Sequence, residues 1–139
     1  MTNIYFAASI RADRDDAQLY QQIVDHLKNY GTVLSEHVGN KNLPLSEESG
    51  LTDREIHNRD IRRLLSSDVL VAEVTQQSLR VGYEIRSAVV DGIKVLCLHR
   101  PQEGKRLSAM VFGSRQLRVE NYETIEQARE VITNFFEGR

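Results

Sequence analysis

Short unbroken apolar runs alternate along this chain with longer segments in which apolar residues recur every three or four positions. The clearest instance lies between Asp68 and Leu98. Val69 to Ala72 is a continuous apolar run, Thr75 to Ser78 is polar, and Leu79 to Asp91 carries the helical period. Gly92 then supplies a stop, and Val95 to Leu98 is a second apolar run. The pattern predicts strand, loop, helix, turn and strand, the unit from which parallel sheets are built. Ligands in such sheets collect outside the carboxyl ends of the strands. Gly82-Tyr83-Glu84 therefore brings a carboxylate near a binding crevice.

The rest of the chain repeats the alternation. Ile4 to Ala8 reads as a first buried strand, and Ser9-Ile10-Arg11 as the loop that leaves it. Tyr20, Ile23, Val24 and Leu27 fall at helical spacing within a segment from Asp15 to Tyr30, with Gly31 placed to cap it. Thr32 to Leu34 is a brief second strand. Gly39 to Thr52 is polar, and a loop of that length within a domain is usually a lid or a mobile segment. Thr52 with Glu55 fits a capping box for a helix to about Ser66, with Ile56, Ile61, Leu64 and Leu65 facing inward. Beyond Leu98, a loop from Arg100 to Arg106 leads to the segment Leu107 to Phe112. Gln116 to Val119 reads as a fifth strand. Thr124 with Gln127 fits a second capping box, for a last helix with Ile125, Ala128, Ile132 and Phe135 on one face. Strands alternating with helices predict a doubly wound α/β fold.

Composition changes the picture by exclusion. A chain of 139 residues is expected to form one domain, spanning 1–139, with a substantial core. A net charge of −2 gives no electrostatic footprint for nucleic acid or an anionic membrane. No segment approaches the ~18 apolar residues of a membrane span, and no basic-then-apolar leader opens the chain. The expected compartment is cytoplasmic, with the nucleus an alternative for a eukaryotic protein. The single cysteine, Cys97, cannot form an internal disulfide and lies in an apolar run, where a buried inert thiol is expected.

Two acids stand out as candidate chemistry. Asp60 lies one turn from both Ile56 and Leu64, on or beside the inward stripe of its helix, and a carboxylate there needs a partner or a purpose. An ion pair with Arg63 or Arg59 would satisfy it, as would a place at the rim of the stripe. Glu84 could be a solvated helix residue paired with Arg80 at four-residue spacing. Alternatively, the two acids face each other across the crevice, an arrangement suited to glycosidic chemistry.

Ser9 and Arg11 after the first strand, with the start of the next helix, make a phosphate cradle of the simplest kind. Neither a glycine-rich dinucleotide loop nor a lysine-bearing P-loop occurs. Ser78 fits the N-cap of the helix bearing Glu84, and its hydroxyl could also face phosphate oxygens. His37 follows the second strand, as either a structural or a site residue. His26, His57 and His99 do not join it in metal-ligand spacing. Tyr5 alternates with Ile4 and Phe6, in the core unless its hydroxyl reaches the crevice. No nucleophile-elbow motif points to a serine hydrolase.

Taken together, these segments resemble one family. Tyr5-Phe6-Ala7-Ala8-Ser9-Ile10-Arg11 is similar to its Y-F-x-G-S-I-R, and Glu36-His37-Val38 to its E-H-V. Asp60 matches a single aspartate on the second helix. Ala72-Glu73-Val74-Thr75 with Ser78 and Gly82-Tyr83-Glu84 is similar to A-E-V-T-x-x-S-x-G-x-G-Y-E, and Leu107-Ser108-Ala109-Met110 to L-S-A-M. The family is the 2'-deoxynucleoside 5'-monophosphate N-glycosidases, a branch of the nucleoside 2-deoxyribosyltransferase superfamily, and the resemblance runs in order over nearly the whole chain.

The resemblance implies a flavodoxin-like (Rossmann-like) five-stranded parallel sheet with helices on both faces. It implies a hydrolase that releases a free base and 2-deoxyribose 5-phosphate from a deoxynucleoside 5'-monophosphate, without a cofactor. Glu84 would be the nucleophile of a covalent intermediate. Asp60 and His37 would assist the leaving base and bind the sugar, and Tyr5 would place the sugar and the carboxylate. Ser9, Arg11 and Ser78 would hold the 5'-phosphate. Ile10, Gly82 and Met110, within the same matched segments, would complete the substrate contacts. In the implied homodimer, Ser108 reaches the phosphate in the neighbouring subunit. The chain departs from the family at Ala8, Ala12, Asp13 and Arg80, each standing where the family has glycine. Arg80 could add a phosphate contact, or pair with Glu84 when the site is empty. Rival expectations are a transferase that passes deoxyribose to a second base, and a nucleotide-binding module without catalysis. A phosphoacceptor receiver domain lacks its acidic pair here, because Ala7-Ala8-Ser9 follows the first strand.

Overall fold

The computed structural model describes residues 1–9, 14–34 and 50–139. Its strands are β1 (Asn3–Ala7), β2 (Thr32–Val33), β3 (Val69–Glu73), β4 (Lys94–His99) and β5 (Arg118–Asn121). They alternate with helices α1 (Arg14–Leu27), α2 (Asp53–Leu65), α3 (Leu79–Val90), α4 (Ala109–Phe112) and α5 (Ile125–Phe136). The strands form one parallel sheet in the order β2-β1-β3-β4-β5. The doubly wound α/β expectation holds. Strand order reverses between β1 and β3, so the crevice of this fold opens at their carboxyl ends.

Side-chain alternation along the strands fixes which helix covers which residue. Ile4, Phe6, Val69, Val71, Leu96 and Leu98 pack with Tyr20, Ile23 and Leu27 of α1 and Ala128 and Ile132 of α5. Tyr5, Ala7, Leu70, Ala72, Val95 and Cys97 pack on the other face, with Leu64 of α2 and Val81, Ile85 and Ala88 of α3. Burial on both faces explains why β3 reads as an unbroken apolar run. It also places Tyr5 on the face covered by the two helices that carry Asp60 and Glu84.

Both predicted capping boxes form. Thr52 Oγ1 accepts from the Glu55 N–H at 3.1 Å while Glu55 Oε1 accepts from the Thr52 N–H at 3.0 Å. Thr124 and Gln127 exchange the equivalent bonds at 3.2 and 3.4 Å. Gly92 ends α3 with φ +77, a left-handed conformation that side chains resist.

Three details differ from the sequence pattern. Helix α1 stops at Leu27, so Gly31 does not cap it. A Cβ on Gly31 would lie 2.1 Å from the Thr2 carbonyl oxygen, so glycine lets the chain pass against the start of β1. Leu65 is 46% exposed, because α2 ends there and only Leu64 of the pair turns under the helix. Strand β5 begins two residues later than the apolar pattern suggests, since its register is set by pairing Leu96 with Arg118 through His99 with Asn121. The segment after the Arg100–Arg106 loop forms α4, with Ser108 as its N-cap. Among the described residues no helix is long and apolar enough to cross a membrane. Residues 39–49 of the predicted polar loop lie outside the described residues.

Candidate active site

Glu84 is buried because of where it falls on α3. Val81, Glu84, Ile85 and Ala88 share the inward stripe, and the helical period leaves Glu84 5% exposed. Asp60 and Leu64 occupy the equivalent stripe of α2, with Asp60 4% exposed. Tyr5 rises from β1 between them.

The Tyr5 hydroxyl donates to Glu84 Oε2. Burial, and then the charge of Glu84, push the Tyr5 phenol well above its ordinary pKa, so it remains a proton donor. Asp60 accepts from Arg59 Nε at 3.0 Å and from the Arg80 guanidinium. The Arg59 partner expected from sequence is present. Arg80 forms an ion pair with Asp60 across the α2–α3 contact. Asp60 and Arg80 both act on the Tyr5 phenol, in opposite directions, so the four side chains form one electrostatic unit.

Asp60, Arg80 and Glu84 line a pocket of about 340 Å³ with Ile56, His57 and Tyr83. His57 Nε2 lies 3.0 Å from the Tyr83 hydroxyl at its rim. Neither residue was singled out from sequence as a site residue in its own right. Their signal was position: His57 stands one turn before Asp60, and Tyr83 adjoins Glu84.

A larger groove of about 1020 Å³ adjoins this pocket, and Leu79 lines both. Ser78, Gly82, Ser108 and Met110 line the groove. Ser78 caps α3, accepting from the Val81 N–H at 3.2 Å, and Ser108 caps α4, accepting from the Met110 N–H at 3.2 Å. Ser9 is buried just beyond β1. The fold thus gathers Tyr5, Asp60, Arg80 and Glu84 in one cluster, with Ser78, Gly82, Ser108 and Met110 beside it. His37, Ile10 and Arg11 lie outside the described residues, as do Ala12 and Asp13. Cys97 is buried, and burial pushes its thiol up to about 12. Among the described residues no group of three or more His, Cys, Asp or Glu side chains could hold a metal.

A buried carboxylate with a fixed phenolic donor, next to a second acid held by two guanidinium groups, can attack or stabilise an electron-poor sugar carbon. Comparison with known proteins bears on the same point. A zebrafish (Danio rerio) protein named 5-hydroxymethyl-dUMP N-hydrolase is 45% identical over 97% of this chain and 96% of its own. The human (Homo sapiens) protein of that name is 45% identical over 97% of this chain and 79% of its own. The solved structure of Clostridium botulinum CMP N-glycosidase, BcmB, superposes with a TM-score of 0.69 at 12% identity, covering 96% of this chain and 98% of the other, a likeness of fold. A model of the family described as nucleoside 2-deoxyribosyltransferase matches residues 4–124. With that match and those relatives along nearly its whole length, the chain belongs to the nucleoside 2-deoxyribosyltransferase family.

Proposed function

We propose that the protein hydrolyses the N-glycosidic bond of 2'-deoxynucleoside 5'-monophosphates, releasing free base and 2-deoxyribose 5-phosphate. The observation that carries this reading is the buried Tyr5–Glu84 hydrogen bond beside the Asp60–Arg80 ion pair. The N-hydrolase names of relatives at 45% identity support the same chemistry.

In this mechanism Glu84 attacks C1' of the sugar as the bond from C1' to the base nitrogen breaks. The electron pair leaves with the base, which takes up a proton. Water then attacks C1' and releases Glu84. Tyr5 holds one oxygen of Glu84 and so aims the other. Asp60 binds the sugar and, with His37, assists the leaving base. Ser9, Arg11 and Ser78 take the 5'-phosphate, with Ile10 and Gly82 close to the bound substrate.

The same reading makes the protein a single catalytic domain that pairs with a second copy, whose Ser108 and Met110 complete the phosphate end. Met110 and Phe112 of α4 are 84% and 67% exposed, which suits a surface awaiting a partner. An intracellular nucleotide pool, cytoplasmic or nuclear, is the setting that such a substrate requires.

Incubation with a panel of deoxynucleoside and ribonucleoside monophosphates, scored for free base, tests the proposal. Base release from deoxynucleoside monophosphates, 5-hydroxymethyl-dUMP among them, is expected. Exchange onto an added base without net hydrolysis would favour a transferase instead. Mixing impaired Glu84→Ala and Ser108→Ala subunits should restore activity if sites are shared, and a monomer at assay concentrations would rule sharing out.

A further inference from the structure

Glu73, the last residue of β3, is wholly buried on the opposite side of the sheet from Tyr5 and Glu84. Its carboxylate accepts from the Thr75 backbone N–H at 2.7 Å, from the Thr75 hydroxyl at 2.9 Å and from the Tyr122 hydroxyl. Thr75 Oγ1 accepts in turn from the Arg100 backbone N–H at 2.9 Å. The Arg100 guanidinium donates to Asp16 at 2.6 Å, with its Nε 3.8 Å from Glu73. Gln76 Nε2 reaches the other Asp16 oxygen at 3.4 Å.

This network ties the ends of β3, β4 and β5 to the first turn of α1 and to the loop between β3 and α3. An apolar side chain would fill the end of a buried strand without the desolvation cost of a carboxylate. What the carboxylate adds is a hold on the first turn of α1, at Asp16, and on the loop from Thr75 to Ser78. On the proposed reading, Ser78 at the end of that loop faces the 5'-phosphate.

We infer that Glu73 is a positioning residue for the 5'-phosphate. It fixes the loop that ends in Ser78 through Thr75, and the start of α1 through Arg100 and Asp16. It touches no substrate atom. The inference rests on the function proposed above. Its specific consequence is that loosening the network weakens the recognition of phosphate while leaving recognition of sugar and base intact.

The test compares binding of a deoxynucleoside 5'-monophosphate with binding of the same deoxynucleoside by calorimetry, alongside steady-state base release. The variants are Tyr122→Phe, Thr75→Val, Glu73→Ala and Glu73→Gln. Tyr122 is the cleanest site, since it lines neither the pocket nor the groove. Tyr122→Phe and Thr75→Val should narrow the affinity gap between monophosphate and nucleoside by about tenfold, the scale of one hydrogen bond to a charged group. KM for the monophosphate should rise while kcat stays within about threefold. Glu73→Ala should lose more, and Glu73→Gln should retain most of the gap, because its amide keeps the size and both hydroxyls can rotate to meet it. Where Glu73→Ala does not fold, the two milder variants decide. Folded variants that keep the wild-type gap, or that lose nucleoside and monophosphate binding equally, would overturn the inference. Wild-type protein that binds the monophosphate preferentially but releases no base would instead overturn the proposed function alone. Without that preference in the wild type, the inference fails as well.

Discussion

The phenol of Tyr5, on the first strand, donates to the carboxylate of Glu84, 79 residues later on α3. The sheet and the helix are each built from local sequence patterns, and only their packing brings the two groups together. Because burial and the Glu84 charge hold the phenol protonated, Tyr5 is a fixed donor on one carboxylate oxygen. The other oxygen is then oriented without being occupied by Tyr5.

Tyr5→Phe removes this donor and little else, since the ring still fills its place in the core. A hydrogen bond to a charged group contributes about 1.5–3 kcal/mol, so kcat should fall by about tenfold to a hundredfold if the bond matters in the transition state. KM should change little. Steady-state base release with a monophosphate substrate measures this, and unchanged kcat would show that Tyr5 only packs.

Arg80 stands where the resembling family has glycine, and its guanidinium is bonded to Asp60. Substrate that uses Asp60 to bind the sugar must loosen this contact first. Arg80→Gly should therefore lower KM and leave kcat close to wild type. Asp60 is buried and keeps Arg59 as a partner, so losing Arg80 and placing glycine within α3 should lower stability by about 1–3 kcal/mol. A raised KM would mean that Arg80 contacts the phosphate when substrate is bound.

Two histidines give stability a pH dependence of known sign. Burial lowers the pKa of both His26 and His99 below the ordinary 6.5. The unfolded chain then binds more protons than the folded one between the lowered values and 6.5. Their contribution is present above 6.5 and is lost as pH falls through that window. Burial shifts Glu73 upward from 4.5, so its contribution runs the other way, diminishing as pH rises from there. Thermal melts from about pH 7.5 down to about 5.5 should show a falling Tm, because histidine titrates in that range. His26→Gln and His99→Gln should flatten the fall. A Tm in the double histidine variant that still falls as in wild type would assign the dependence to other groups.

Much of this architecture was legible because it rests on local rules. The capping boxes at Thr52 and Thr124, the stop at Gly92 and the apolar runs of β3 and β4 are all encoded within a few residues. The burial of Glu84 was also encoded, in its place on the stripe with Val81, Ile85 and Ala88. What pattern could not give was pairing between elements. Four-residue spacing relates Arg80 to Glu84 along α3, but nothing in the spacing shows the bond from Tyr5 to Glu84 or the reach of Arg80 across to Asp60. The Glu73 network was hidden for the same reason. Tyr122 and Arg100 meet Glu73, and Asp16 meets Arg100, only because four element ends converge at the carboxyl end of the sheet. Gly31 read as a cap because glycine serves both turns and close backbone approach, and only the position of Thr2 distinguishes them.

The assignment of Glu84 as nucleophile makes the sharpest prediction. A nucleophile must present an ionised oxygen to the sugar, and a general acid must not. Glu84→Gln keeps the size of the side chain and can still accept from Tyr5, so the variant should fold and bind monophosphate. It cannot form an acylal-like ester bond to C1', so base release should fall by several orders of magnitude, on the order of 10³ or more. Asp60→Asn removes a charge that two guanidinium groups compensate, and it should keep measurable turnover, most visibly with bases that leave easily. A 2'-fluoro substituted substrate destabilises the electron-poor transition state at C1' and slows both steps. With a good leaving group, the first step still proceeds and the sugar phosphate accumulates on the protein. Mass spectrometry of the digested adduct should place it on the peptide containing Glu84, and not on the one containing Asp60. An adduct on Asp60, or full turnover by Glu84→Gln, would reverse the roles of the two acids.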